Sequence, residues 1–333
     1  MRAITLGPDG PHVPALGSGD VSLARSADRG LDRRDVEAAL CSALELGIDV
    51  IEIAAESDAE RVVGDAIRTM RARDRAIAMC RVPPLRDVAG LPSRALAVPP
   101  AGYVQECVEA SLRATKLEAL PLVAIGLRSA WRTQSPWPEL VGTCHRLVAE
   151  GKVMRWAAVP FADDAEHAAI VAEPWLSAIA LIWNLCSRAG DAIIAAAFDR
   201  KLAVLARAPL AGGALAGDLG PGRRFPPRDD RADLDLEPLA IAAAKLAALV
   251  KREPPAARSS DGSSAALERA LKIRPASLEC TTVAELALRW VIDRGALPLP
   301  RLHRRDHIPE ALTALAAAPL SPDLMKRLDE FVT

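Results

Sequence analysis

Glu52 and Arg81 stand at the C-terminal ends of two short apolar runs, Ile48–Ile53 and Arg75–Val82. A carboxylate there can act as acid or base, whereas a guanidinium stays protonated and can hold an anion without shuttling a proton. The same two residues also make a plausible structural pair, because buried opposite charges must pair whatever else they do. Asp20 follows Gly19 and can either point into a neighbouring pocket or cap the next segment. Cys80 directly precedes Arg81, so strand alternation turns one of the two inward, and Arg81 is the expected one. With no His nearby in sequence, Cys80 reads as core filler and not as a nucleophile. Cys144-His145 lies in a helical stretch, where adjacent residues diverge by ~100°, and makes no dyad. Arg301, His303, Arg304 and Arg305 form a basic cluster that suits either a phosphate or a solvated helix start. Trp131 and Trp137 either roof a pocket or pack on neighbours.

These residues need elements that bring them together. Strand-like runs fall at Leu16–Gly19, Ile48–Ile53, Arg75–Val82, Leu122–Leu127, Val153–Val159, Ile179–Trp183, Leu202–Ala206 and Ala296–Leu299. Amphipathic stretches at Asp58–Arg71, Val104–Leu120, Pro138–Glu150, Asp163–Ala172 and near Ala189–Phe198 separate them. Eight strands alternating with helices predict an α/β fold, a (β/α)8 TIM barrel with extra C-terminal helices. Its active site would then lie at the C-terminal ends of the strands, where Glu52 and Arg81 fall. Ahead of the barrel, Ala3–Leu6 and His12–Ala15 flank Gly7-Pro8-Asp9-Gly10, predicting a β-hairpin that plugs the N-terminal mouth. Glu253–Glu279, within an insertion spanning about 253–280, holds Pro254-Pro255 and a Ser/Gly-rich stretch, and reads as surface with a short helix at Ala265–Lys272.

Composition sets bounds on this reading. The 333 residues exceed the usual domain size, yet a barrel of this length is commonly one domain, expected here over 1–333. Half the residues are apolar, enough for a large core. The net charge of −1 is spread evenly, which argues against nucleic acid or an anionic membrane as partner. The N-terminus is too polar for a signal peptide, and no apolar run reaches membrane-spanning length. Six cysteines never fall in CxxC spacing, so buried thiols in a reducing cytoplasm are expected, with no metal site. Arg heavily outnumbers Lys, as in GC-rich bacterial genomes.

Ordered strings along nearly the whole chain resemble the aldo-keto reductase family. Gly47-Ile48-Asp49-Val50-Ile51-Glu52-Ile53-Ala54 is similar to its "GINFFDTA" strand, and Glu60-Arg61-Val62-Val63-Gly64 to its "SExxxG" helix. Glu109-Ala110-Ser111-Leu112 matches "ESL", Gly151 through Arg155 begins "GKIRaiGvSNF", and Phe161 closes it. Asn184 and Arg188 resemble "yNllxR"; Ala208 through Gly217 resembles "sPLagGlLtG"; Phe225 through Arg231 resembles "F…DxR". Ala287-Leu288-Arg289-Trp290 matches "ALrW", and Leu320-Ser321 matches "Ls".

The resemblance implies a barrel that reduces carbonyls with NADPH through Asp, Tyr, Lys and His. At those positions this chain carries Glu52, Ser57, Arg81 and Gly126. No shift of alignment restores them. There is no Lys before Lys116, no Tyr before Tyr103, and no His between His12 and His145. Ser57 is a far weaker acid than a phenol and Gly126 has no side chain. The positions that hold the nicotinamide amide read Val159-Pro160 and Ala180, and the adenine-contacting Asn aligns with Ala311. Cofactor contacts that survive by resemblance fall on Arg207, Leu210, Arg301, Arg304 and Arg305, making NADP binding weak or absent.

Three functions follow, in order. The chain is a non-reductase binding member of the family, taking a small-molecule ligand in the barrel mouth or a protein partner. Failing that, it is an enzyme of repurposed non-redox chemistry at Glu52 and Arg81. Third comes an NADP(H)-dependent oxidoreductase with another proton donor.

Overall fold

The structure is a computed structural model that describes residues 2–85, 97–161, 167–217, 224–225, 231–232, 234–250 and 280–331. The Pro-Asp-Gly turn forms as its chemistry dictates. It joins β1 (Ala3–Thr5) to β2 (His12–Pro14) in antiparallel register, with Ile4 opposite Val13. Leu6 and Val13 of this hairpin are buried with Val50, Ile77, Leu122, Ala203 and Leu297, so the hairpin plugs the barrel as expected.

Eight parallel strands follow in chain order: β3 (Gly17–Val21), β4 (Val50–Ile53), β5 (Ile77–Arg81), β6 (Leu122–Leu127), β7 (Trp156–Pro160), β8 (Leu176–Ile182), β9 (Ala203–Arg207) and β10 (Leu297–Leu299). All eight coincide with predicted runs, β6 at both ends and the other seven with shifted ends. Val153, expected as the start of β7, makes only an isolated bridge to Leu120. The Gly19 N–H donates to the Pro300 carbonyl at 2.8 Å, bringing β10 to β3. A Cβ on Gly19 would lie 2.2 Å from the Leu299 carbonyl oxygen, so only glycine permits this approach.

The helices are α1 (Leu23–Ala27), α2 (Arg33–Glu45), α3 (Ser57–Thr69), α4 (Ala101–Thr115), α5 (Trp137–Ala149), α6 (Asp191–Asp199), α7 (Leu236–Ala247), α8 (Val283–Asp293), α9 (Ile308–Ala316) and α10 (Pro322–Asp329). Sequence reasoning singled out no helix at α2. It is fixed by a capping box between Asp32 and Asp35, and buries Val36, Ala39, Leu40, Ala43 and Leu44. The helix expected over Val104–Leu120 stops at Thr115, because Lys116 turns left-handed and returns its N–H to Leu112. Of the helix expected over Asp163–Ala172, the described part, His167–Ala172, is 3₁₀; residues 162–166 lie outside the described residues. The helix expected at Ala265–Lys272 also lies outside them. Within the "ALrW" string, Arg289 is fully buried, ion-paired to Asp293, and donates to the Ala317 carbonyl at 2.9 Å. Among the described residues no helix is long and apolar enough to cross a membrane.

Alternation along the strands sorts side chains into two layers. Val50, Ile77, Met79, Leu122, Ala124, Ala157, Ala178, Ala180, Leu205 and Leu299 fill the interior. Ile51, Ile53, Ala78, Cys80, Val123 and Ile125 pack outward under the helices. The same period carries the inward face on to Glu52, Arg81, Gly126 and Arg207 at the C-terminal ends. The site is therefore built by strand period, starting from the apolar interior.

Candidate functional site

Glu52 continues the inward face of Val50 and is 1% exposed. A carboxylate in that position needs cations to offset the loss of water. The expected partner, Arg81, lies 3.8 Å from Glu52 Oε1. A nearer one is Arg207 at the end of β9, whose Nε–H donates to the same oxygen at 2.5 Å. The expected Glu52–Arg81 pair forms, and Arg207, a residue singled out only as a cofactor contact, holds the same oxygen more closely. Arg81 is lowered from its ordinary value by burial, with Arg207 adding repulsion that Glu52 partly offsets.

Asp20 forms the second half of the site. Its backbone is left-handed (φ 51°), and its carboxylate faces into the mouth instead of capping a helix. Arg25 of α1 ion-pairs with one oxygen, and Arg301 donates to the other at 2.8 Å. Arg25 is placed by Ser22, which caps α1 and donates to the Glu56 carboxylate at 2.6 Å. Arg81 also senses Asp20 and Arg25, so the two carboxylates and their arginines form one cluster. Sequence reasoning missed Arg25, which no motif distinguishes from its neighbours.

The other expected site residues part company. Ser57 opens α3 and is exposed. Gly126 sits beneath the Phe161 ring, and a Cβ there would meet two ring carbons at 3.2 Å. Phe161 is itself fixed by Trp131, edge-on at 5.8 Å, and by the Arg128 guanidinium 4.1 Å above its centroid. Trp131 therefore buttresses the roof of the mouth, while Trp137 packs away from it against Trp175. Ile182, at the end of β8, is 56% exposed.

Leu210 begins the 3₁₀ turn Ala211–Ala216, in a loop held by Asn184, whose side-chain N–H donates to the Ala208 carbonyl at 2.9 Å. The basic cluster after β10 divides. Arg301 turns to Asp20, Arg304 pairs with Asp306 on the surface, and the Arg305 Nε–H reaches the Ala38 carbonyl at 3.4 Å. His303 is driven down to about 3 by burial, reinforced by His307 5.1 Å away. Ala311 is buried in α9.

Of the cysteines expected to be buried thiols, Cys80, Cys144 and Cys280 are buried, whereas Cys41, Cys107 and Cys186 are half-buried. Cys80 faces the outer layer, where burial, with the Glu60 carboxyl adding repulsion, pushes its thiol well up. Ser111 donates to Glu60 at 2.5 Å. Cys144 is buried and pushed up to about 12, while His145 points to solvent. All six cysteines are free thiols.

Solved structures of the same shape include aldo-keto reductases. An aldo-keto reductase from Bacillus halodurans, in holo form, superposes with a TM-score of 0.72 at 18% identity, covering 100% of this chain and 97% of that one. One from Klebsiella pneumoniae, in complex with NADP and acetate, has a TM-score of 0.64 at 24% identity, over 99% of this chain and 95% of that one. Among curated proteins, the methylglyoxal reductase YeaE of Escherichia coli is 29% identical over 147 residues, which is 43% of this chain and 44% of that protein. The matched stretch thus spans under half of that relative. The model of the Aldo/keto reductase family matches residues 15–333, every strand of the barrel included. With the barrel, its plug and that match in agreement, the chain belongs to the Aldo/keto reductase family.

Proposed function

We propose that this chain is a non-reductase member of its family, a binding protein whose mouth no longer transfers hydride to a carbonyl. One observation carries this reading. At the four positions that the resemblance assigns to catalysis stand Glu52, pinned by Arg207 at 2.5 Å, Arg81 3.8 Å away, an exposed Ser57, and Gly126 under Phe161. None offers a group that gives up a proton to a carbonyl near neutrality.

The residues do not fit the nicotinamide end of the cofactor. Pro160 has no N–H to donate, and Val159 and Ala180 have no polar side-chain atoms. Arg207, Arg301 and Arg304 are engaged by Glu52, Asp20 and Asp306. NADP binding is accordingly weak or absent, even though the Klebsiella relative was solved with NADP.

The test is an NADPH fluorescence titration of the purified protein, followed by turnover assays with methylglyoxal, an aromatic aldehyde and a quinone. The expected outcome is no saturable binding at high micromolar NADPH and no oxidation above the protein-free rate. Saturation together with turnover of any of these substrates overturns the reading.

A further inference from the structure

Ser18 is a polar residue among apolar neighbours. It lies in β3 beside Val36 and Leu40 of α2, is 1% exposed, and its hydroxyl makes no hydrogen bond among the described residues. A buried hydroxyl left in that way costs free energy, and so does a buried ring nitrogen. His303 supplies such a nitrogen: its Nδ1 is buried and has no hydrogen-bond partner. Ser26 of α1 is 4% exposed and gives its proton to the Ser22 carbonyl at 2.7 Å. Its oxygen keeps lone pairs with which to accept.

These three side chains line one cavity. It lies between β3, α1, α2 and the segment that follows β10, and has a volume of about 10 Å³; Arg301 lines it as well. About one water molecule fits a volume of that size, and a buried water makes about three hydrogen bonds to polar groups that otherwise lack them. Burial keeps the His303 ring neutral near neutrality. Its Nδ1 then carries either a proton or a lone pair, and water can meet either.

We propose that one buried water occupies this cavity, bridges Ser18 Oγ, Ser26 Oγ and His303 Nδ1, and ties the seam at which the barrel closes. The seam is where the Gly19 N–H meets the Pro300 carbonyl at 2.8 Å, one residue from Ser18 and three from His303. The bridge joins the three elements that carry the Asp20 cluster: β3 with Asp20, α1 with Arg25, and the segment after β10 with Arg301. A water in this position positions those groups without touching any ligand of the mouth, and it is independent of whether the mouth transfers hydride.

A crystal structure of the full chain, at a resolution that orders buried water, shows the site directly. The expected result is one density peak within ~2.7–3.2 Å of all three side-chain atoms, refining as water. Ser18→Val removes the hydroxyl and fills the space with methyl groups. It is expected to lose the peak and to speed hydrogen–deuterium exchange of the Gly19 amide at least about tenfold relative to amides of β6 and β7. Val36→Ala removes part of the apolar wall and none of the three partners, so it should keep the peak and leave the relative exchange of Gly19 within about threefold of wild type. Melting checks that both variants fold.

No peak in the wild type overturns the proposal, as does density that refines as an ion or a peak that reaches fewer than three of the side chains. Unchanged Gly19 exchange in Ser18→Val overturns it too, because the water then ties nothing. So does equal acceleration in Val36→Ala, which assigns the effect to packing. If Ser18→Val does not fold, Ser26→Ala, which deletes one partner, takes its place in the exchange measurement.

Discussion

Replacing Arg207 by Met removes the nearest cation from a carboxylate that is 1% exposed, while keeping much of the side chain's apolar volume. Breaking a buried ion pair from one side costs about 3–5 kcal/mol, because the remaining charge is stranded. Glu52 would not be wholly stranded, since Arg81 lies 3.8 Å away. At an effective dielectric constant of about 20, that separation corresponds to ~4 kcal/mol of gross attraction, before the cost of desolvating Arg81. Arg81 would also be relieved of the repulsion from Arg207. The lower end of the range is therefore expected, about 3 kcal/mol. At about 2 °C per kcal/mol for a chain of this size, the midpoint falls by roughly 6 °C. Thermal melts followed by circular dichroism measure this directly. The decisive comparison is a cycle with Glu52→Gln: once the carboxylate is neutral, Arg207→Met should cost at most about 1 kcal/mol. Equal losses in the two backgrounds would refute the claim that Arg207 acts through the Glu52 charge.

Further expectations concern groups outside that pair. Gly126→His places a Cβ 3.2 Å from the Phe161 ring; it should destabilise by about 1–3 kcal/mol in denaturant melts and leave NADPH turnover at background. Burial raises the Glu60 carboxyl, so the folded state favours its protonated form, and the stability this brings is lost as pH rises through the raised value. Glu60→Gln keeps an acceptor for Ser111 and should raise the melting midpoint near pH ~8 but not near pH ~4. His303, depressed to about 3, takes up a proton more readily unfolded than folded, so its contribution is lost as pH falls below ~6.5 towards that value. His303→Gln should flatten the decline in stability over that interval. Cys144 and Cys280, both pushed up to about 12, should resist thiol reagents near neutral pH until the protein is denatured, as mass spectrometry after labelling will show.

The barrel was legible because its strands declare themselves locally. An apolar run bounded by turns or caps recurs eight times, and alternation within each run predicts which residues reach the mouth. That is why Glu52 and Arg81 could be paired across neighbouring strands from sequence. Arg207 could not be joined to them, since 155 residues separate it from Glu52 and only closure of the sheet brings β9 within reach. Nor could Phe161 be placed over Gly126, which depends on the register of β6 against β7 and the path of the chain just beyond it. The omission of α2 differs in kind, because Asp32, Asp35 and the spacing of Val36, Leu40, Ala43 and Leu44 carry full helix signals. Lys116 ended a helix that propensity alone would have continued through Leu117, since a left-handed residue closes the last turn. Depth also decided what Asp20 does: a local cap was as consistent with its sequence as the contact with Arg301 that the fold makes.

The ring of Phe161 over Gly126 also limits the order in which this mouth can be rebuilt. Any side chain introduced at 126 meets the ring, and shrinking residue 161 first removes the edge-on partner of Trp131 and the face that Arg128 covers. Neither substitution is neutral when made alone, so positions 126 and 161 change together or at a loss. A library that varies one position at a time would find this pocket closed to redesign, whereas one that couples the two samples routes around the ring.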